Sequence, residues 1–267
     1  MPQTVTPLTI AATKGLMRLL DGPPSADRLA AALRHLAKWR SAVLDNTLVA
    51  TSGTTVLHGP FQGMAYPVRA AEGARAARLI GGYEASLAPV IQTIIDRAYA
   101  TVIDIGCAEG YYAVGLARRM PLTLVLARDI SLPAQALCRQ LAQANDVADR
   151  VEIGGQFNHA DFDLCVSSRS VVICDIEGAE GDLLDPAAAP GLTQADILVE
   201  VHEGMRPGLI ATLTDRFSPT HTVTRIDRAL RPDLLPAWAE RLSDLDRLLL
   251  LWEWRASPTP WLWIDRK

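Results

Sequence analysis

From Thr101 onward, short apolar runs alternate with helix-patterned stretches, and this alternation restricts the fold more than any other feature of the chain. The runs fall at 101–105, 122–127, 151–154, 171–175, 197–201 and 221–226. The stretches between them carry apolar residues at helical spacing, such as Leu137, Leu141 and Ala144. Strands that alternate with helices imply an α/β fold, a mostly parallel sheet covered by helices on both faces. A helix-like run follows at 242–254. The tail reads Trp261-Leu262-Trp263-Ile264, whose two tryptophans share a face if it is a strand.

Upstream of this region the pattern differs. Residues 1–43 read as helices, with Ser25 as an N-cap and Asp27 in the first turn. Leu29, Leu33 and Leu36 fall on one helical face. Residues 47–68 alternate apolar positions around glycines, which predicts a hairpin or two short strands. Leu87, Val90, Ile91, Ile94 and Ile95 mark an amphipathic helix that leads into the first strand. The expected organisation is therefore a helical and hairpin region at 1–85, serving as lid or oligomerisation surface, followed by a ligand-binding domain at 86–267.

The 267 residues suffice for a full core. No run approaches the length of a membrane helix, and Met1–Ile10 lacks the features of a signal peptide. A cytoplasmic protein is the expectation. Residues 1–100 hold ten Arg and Lys against six Asp and Glu, whereas the rest holds sixteen against twenty-four. An acidic second half argues against a nucleic-acid partner, which needs a basic surface. Cys107, Cys138, Cys165 and Cys174 form no C-x-x-C pair and read as buried reduced thiols.

In an open α/β sheet, ligands bind beyond the carboxyl ends of the strands. The richest such end is Val102–Ala117, VIDIGCAEGYYAVGLA. An apolar strand there runs through a glycine turn into a helix, which brings backbone N–H groups close to a ligand. Asp129 ends the next strand, where an acid can accept both ribose hydroxyls of an adenosine. A dinucleotide pyrophosphate would want G-x-G-x-x-G without nearby acids. Here the loop is G-C-A-E-G, flanked by Asp104 and Glu109. Carboxylates repel a diphosphate and suit a ligand that carries an ammonium and a sulfonium, as S-adenosylmethionine does.

The segment DIGCAEGYYAVGLA resembles motif I of the class I S-adenosylmethionine-dependent methyltransferases. VVICDIEGAEGDLL at 171–184 is similar to the D-x-E-G-x-E segment of FkbM-type methyltransferases, and ILVEVHE at 197–203 to the strand that follows it. GPFQGMAY and GGYEASLAPVI resemble the lead-in of bacterial relatives. The resemblance spans about residues 56–227. It implies a Rossmann-like fold with a mostly parallel seven-stranded sheet, S-adenosylmethionine as methyl donor, and a small-molecule acceptor. It further implies that Asp104, Gly106, Ala108 and Gly110 hold the methionine part, that Asp129 takes the ribose, and that Ile130 packs on adenine. Gln156 is a candidate for the adenine edge. Arg128 is a candidate partner of Asp129.

Asp175, Glu177 and Glu180 cluster after the fourth strand. Three readings compete: an acid cluster at a helix N-terminus, oxygen ligands for a divalent metal, or groups that orient the acceptor and balance the sulfonium. The last is preferred, with Asp175 and Glu177 catalytic, Asp175 also touching the donor, and no metal. Adding Glu200 and Glu203 strengthens the metal reading slightly. His202, after the fifth strand, is the best base, since imidazole titrates near neutrality. Tyr83 is placed to reach the methionine end of the donor, and Tyr111 to line the methyl channel. The expected reaction is O-methylation of a sugar or polyketide-type hydroxyl. The alternatives are N-methylation of an amine and a non-catalytic donor-binding protein. The apolar N-terminal helices favour a homodimer.

Overall fold

A computed structural model describes residues 5–71, 73, 75–255 and 257–267. Its centre is a seven-stranded sheet made of Thr101–Ile105 (β1), Leu124–Arg128 (β2), Val151–Gly154 (β3), Ser170–Cys174 (β4), Asp196–Glu200 (β5), His221–Ile226 (β6) and Trp261–Arg266 (β7). The order is β3-β2-β1-β4-β5-β7-β6. The first five strands pair in parallel, and β7 runs antiparallel to both β5 and β6. All six strands read from the sequence between 101 and 226 are present. β2 starts two residues later than expected, because Leu122 is 98 % exposed in the preceding turn. The Trp261–Ile264 segment is a strand, β7, inserted between β5 and β6.

The helices are Pro7–Leu20 (α1), Ala26–Ser52 (α2), Arg75–Ile80 (α3), Ala88–Arg97 (α4), Tyr111–Arg119 (α5), Leu132–Ala144 (α6), Leu164–Ser167 (α7), Glu180–Leu183 (α8), Leu209–Phe217 (α9) and Asp244–Leu250 (α10). Side chains alternate across the central strands, as period-two geometry requires. Val102, Val125, Val171 and Leu198 join one apolar cluster with α4 and α5. Ile103, Leu126, Val172 and Ile197 join a second cluster with α9 on the opposite face. β1, β4 and β5 are buried along their whole length, so they read as continuous apolar runs.

The N-terminal region shares the first cluster. Leu44, Leu48, Phe61, Met64 and Tyr66 pack with Val102 and Val125. Ser25 Oγ accepts from Arg28 N at 3.2 Å, the expected N-cap. Two expectations, one in this region and one in the tail, need correction. α2 continues to Ser52, so the region 47–68 opens as helix and reduces to one antiparallel bridge, Thr55 to Ala65. The 242–254 run is helical only over Asp244–Leu250. Leu29 and Leu33 are 65 % and 71 % exposed, because α2 turns Ala32, Leu44 and Leu48 inward instead. All four cysteines are free and buried. No described helix is long and apolar enough to cross a membrane.

Candidate active site

β1, β2 and β3 follow one another to one side of the sheet, and β4 and β5 continue to the other. The crevice between β1 and β4 is the topological switch point, where α/β folds bind ligands. A cavity of about 810 Å³ opens there, within the roughly 300–1,000 Å³ of small-molecule sites. Residues from the ends of β1, β2, β3 and β4 line it, together with Arg78 and Tyr83 from the N-terminal region and Trp261 from β7.

The glycine turn after β1 is shaped by close approach. Gly106 has φ +81°, and a Cβ there would sit 1.7 Å from the Asp175 carbonyl oxygen, so only glycine fits. Its N–H donates to Arg128 O at 2.8 Å. Ala108 also has a positive φ. Its N–H donates to Asp129 Oδ2 at 2.9 Å, while Ser131 N donates to Oδ1 at 2.7 Å. Asp129 therefore locks the first loop to the end of β2 at the cavity wall. Gly110 caps α5 with φ +89° and lies against Cys138; it is not part of the wall. Ile130 and Gln156 are exposed wall residues near the mouth.

The two acids of the first loop have different surroundings. Asp104 is buried in the wall, and its Oδ2 has no hydrogen-bond partner among the described residues. Burial pushes its carboxyl up to about 7; the Ala113 N–H opposes this, and repulsion from Asp129 and Glu109 adds to it. Glu109, also fully buried, is already engaged. Its Oε1 meets Arg78 Nε at 2.7 Å and accepts from Tyr66 OH at 2.7 Å, and its Oε2 accepts from Ala71 N at 2.9 Å. Glu109 thus ties the N-terminal region to the loop. Arg78 also stacks over the Tyr83 ring, 3.9 Å from its centroid. Arg128 does not pair with Asp129. It reaches Glu152 Oε1 at 2.6 Å, across the neighbouring strand.

Beyond β4 and β5 the acids converge. Asp175 and Glu177 line the cavity, and His202 sits just behind them, buried, without joining the wall. His202 Nε2 lies 3.3 Å from Glu177 Oε2 and 3.7 Å from Asp175 Oδ1. Nδ1 lies 2.7 Å from Glu180 Oε1. Burial, then Glu200 with its charge and hydrogen bond, pushes the Asp175 carboxyl well above the usual range. Donor atoms of Asp175, Glu200 and His202 lie within 4.8 Å of one another. However, Glu200 Oε1 is bonded by the Arg255 guanidinium and the Thr259 hydroxyl, so a side-chain cation already serves it. Glu203 stands apart: it accepts from Gly208 N at 2.6 Å and Ile210 N at 2.9 Å, at the start of α9.

Sequence reading passed over four parts of this site. Arg78 carries no local signal, since its partners Glu109 and Tyr83 come from other segments. Trp261, one of the two tail tryptophans, closes one end of the cavity against Tyr112, with ring centroids 6.2 Å apart. His159 bonds Asp182 O at 2.9 Å through Nε2 and lines the wall. Arg255 follows the helix-like run 242–254 and carries no local signal, since its partners Glu84 and Glu200 come from other segments.

No family model matches the sequence, and no curated protein matches it. Among solved structures, the chain is similar to the O-methyltransferase of Bacillus cereus in complex with SAH. That match has 11 % identity and a TM-score of 0.47, over 96 % of this chain and 97 % of the other. It is similar also to cofactor-bound Rv0187 from MTB, at 13 % identity and a TM-score of 0.45, over 99 % of this chain and all of the other. Likeness at this level carries no argument about activity, which rests on the chemistry of the cavity.

Proposed function

We propose that the protein is an S-adenosylmethionine-dependent methyltransferase of the FkbM type, acting on a hydroxyl of a small metabolite such as a sugar or a polyketide. One observation supports this most: the cavity at the switch point is walled by carboxylates, and two buried oxygens among them, Asp104 Oδ2 and Asp175 Oδ1, have no hydrogen-bond partner among the described residues. Arg78 and Arg128, the wall's guanidiniums, are engaged with Glu109 and Glu152. Such a wall suits a cationic adenosyl ligand and repels a pyrophosphate.

The residues divide the ligand between them. Asp104 meets an ammonium, and the turn at Gly106–Ala108 offers close backbone approach. Asp129 keeps acceptor capacity on both oxygens for ribose hydroxyls, with Ile130 and Gln156 at the adenine end and Tyr83 near the methionine end. Bound S-adenosylmethionine supplies a sulfonium methyl, whose bonding pair stays on sulfur as the methyl leaves. Asp175 and Glu177 orient the acceptor hydroxyl, and its proton passes through their carboxylates to His202 behind the wall as the new C–O bond forms. Holding the reactants in line supplies about 7–11 kcal/mol of the barrier reduction, and the base adds about 10²–10⁴-fold. The exposed stripe of Leu29, Leu33 and Leu36 on α2, with Ile10 and Met17 exposed on α1, suits a second copy of the chain.

N-methylation is the second reading, favoured by the same acids, which would bind a cationic amine. Titration calorimetry tests the central claim. S-adenosylmethionine should bind, and Asp129→Ala should weaken it about tenfold or more, since a hydrogen bond to a charged group is worth about 1.5–3 kcal/mol. Binding of NAD without affinity for S-adenosylmethionine would sink the reading, and unchanged affinity in the variant would remove the ribose role.

A further inference from the structure

The structure assigns to Glu180 a role as the positioning residue of His202: it holds the imidazole in the tautomer that leaves Nε2 bare toward the acids of the cavity wall. This rests on the methyltransferase reading for its consequence, and on geometry for its content.

Glu180 opens α8 and is fully buried. Its Oε1 collects three contacts: Ile176 N at 3.2 Å, Gly178 N at 3.1 Å and His202 Nδ1 at 2.7 Å. A carboxylate oxygen only accepts, and the Glu180 contact at 2.7 Å is much shorter than the 3.3 Å one from Nε2 to Glu177, so the single proton of the neutral ring sits on Nδ1. The two backbone donors fix the carboxylate itself, and they come from the turn that carries Glu177. One side chain therefore sets both the base and the loop beside it. Nε2 then faces the other way, 3.3 Å from Glu177 Oε2 and 3.7 Å from Asp175 Oδ1, the two residues that reach the cavity.

The electrostatics agree. Burial opposes a charged His202, but the Glu180 hydrogen bond and the charges of Glu180, Glu200 and Glu177 outweigh it and hold the imidazole above its ordinary value. Burial likewise opposes a charged Glu180, yet the His202 and Gly178 bonds keep its carboxyl below the usual range. The groups facing the ring are Glu180 from α8, Asp175 and Glu177 from the turn after β4, and Glu200 from β5, itself paired with Arg255. In the reaction the acceptor O–H bond breaks, and its proton passes through the wall carboxylate of Glu177 or Asp175 to Nε2, giving imidazolium. The Nδ1 proton stays between the ring and Glu180, which is never protonated.

The test has two arms. In the unliganded wild type, nitrogen-15 chemical shifts of the neutral ring should show Nδ1 protonated and Nε2 bare. The reverse tautomer would overturn the assignment, whether or not S-adenosylmethionine binds. In turnover, Glu180→Gln keeps the side-chain shape and removes the charge. The acid limb of its kcat profile should move to lower pH by about one pH unit, with the donor Kd unchanged. A variant that folds and loses rate without any shift in the profile would also overturn it, since a purely structural carboxylate predicts that outcome. Failure of wild type to bind S-adenosylmethionine in calorimetry would instead count against the methyltransferase reading alone.

Discussion

A carboxyl near 7 makes Asp104 a sensor of its own ligand. Its burial and its neighbours Asp129 and Glu109 favour the protonated form in the empty cavity. A cationic donor favours the ionised form. Binding must therefore expel a proton whenever the pH lies below about 7. Affinity for S-adenosylmethionine should rise with pH and level off above that value, by up to about tenfold for each pH unit below it. Calorimetry at pH 6, 7 and 8 checks this, and the measured heat should depend on the buffer as the expelled proton is taken up. Asp104→Asn should flatten the profile. A flat wild-type profile would mean that the ammonium sits elsewhere. Of the residues in this site, those at strand ends were legible in advance, because topology sends strand ends to the crevice. The engagement of Glu109 was not, because Tyr66, Ala71 and Arg78 reach it from a different part of the chain.

At the level of elements, burial and period decided what could be read. β1, β3 and β6 fall where the apolar runs place them; β1 is buried along its whole length, which tolerates few polar residues, whereas β3 and β6 are the partly exposed edge strands of the sheet. The stripe on α2 shows the limit of this reasoning. Helical period groups Leu29, Leu33 and Leu36 on one side, but only the neighbours determine whether that side is covered. Here α10 packs on α2, joined through Arg40 to Asp246 at 2.6 Å, and the leucines stay exposed. The turns after β4 and β5 raise a related question, since acids at strand ends serve metals as readily as substrates. The Arg255 guanidinium on Glu200 argues for substrates. Dialysis against a chelator should leave turnover unchanged. Complete loss, restored by magnesium, would turn Asp175, Glu200 and His202 into ligands and remove His202 as base.

Across the whole molecule, one charge network joins the N-terminal region to the sheet and the tail. Arg255 bonds Glu84, Glu200 and Glu253, and Arg228 adds a second contact to Glu253 at 3.0 Å. Glu84 and Arg255 lie 171 residues apart, so no local pattern foretells their meeting. Two guanidiniums face three buried carboxylates, and one carboxylate keeps a proton. Glu84 is that group: burial first, then the charge of Glu200, pushes it up to about 8, against the attraction of Arg255. In the unfolded chain it titrates near the ordinary glutamate value, about 4.3. The folded state thus holds a proton that the unfolded state releases. This contribution to stability is full below about pH 4.3 and is lost as pH rises to about 8. Asp104, at about 7, and Asp45, at about 6, act in the same direction. The melting temperature should therefore fall between pH 5 and pH 8, by an amount that corresponds to a few kcal/mol at most. Glu84→Gln keeps a neutral group in the same place and should flatten part of that slope, with its largest gain over wild type at pH 8. A variant whose melting temperature runs parallel to wild type across the range would show that the proton resides on another carboxylate of the network. Asp175, raised by burial and then by the same Glu200, is then the next residue to substitute.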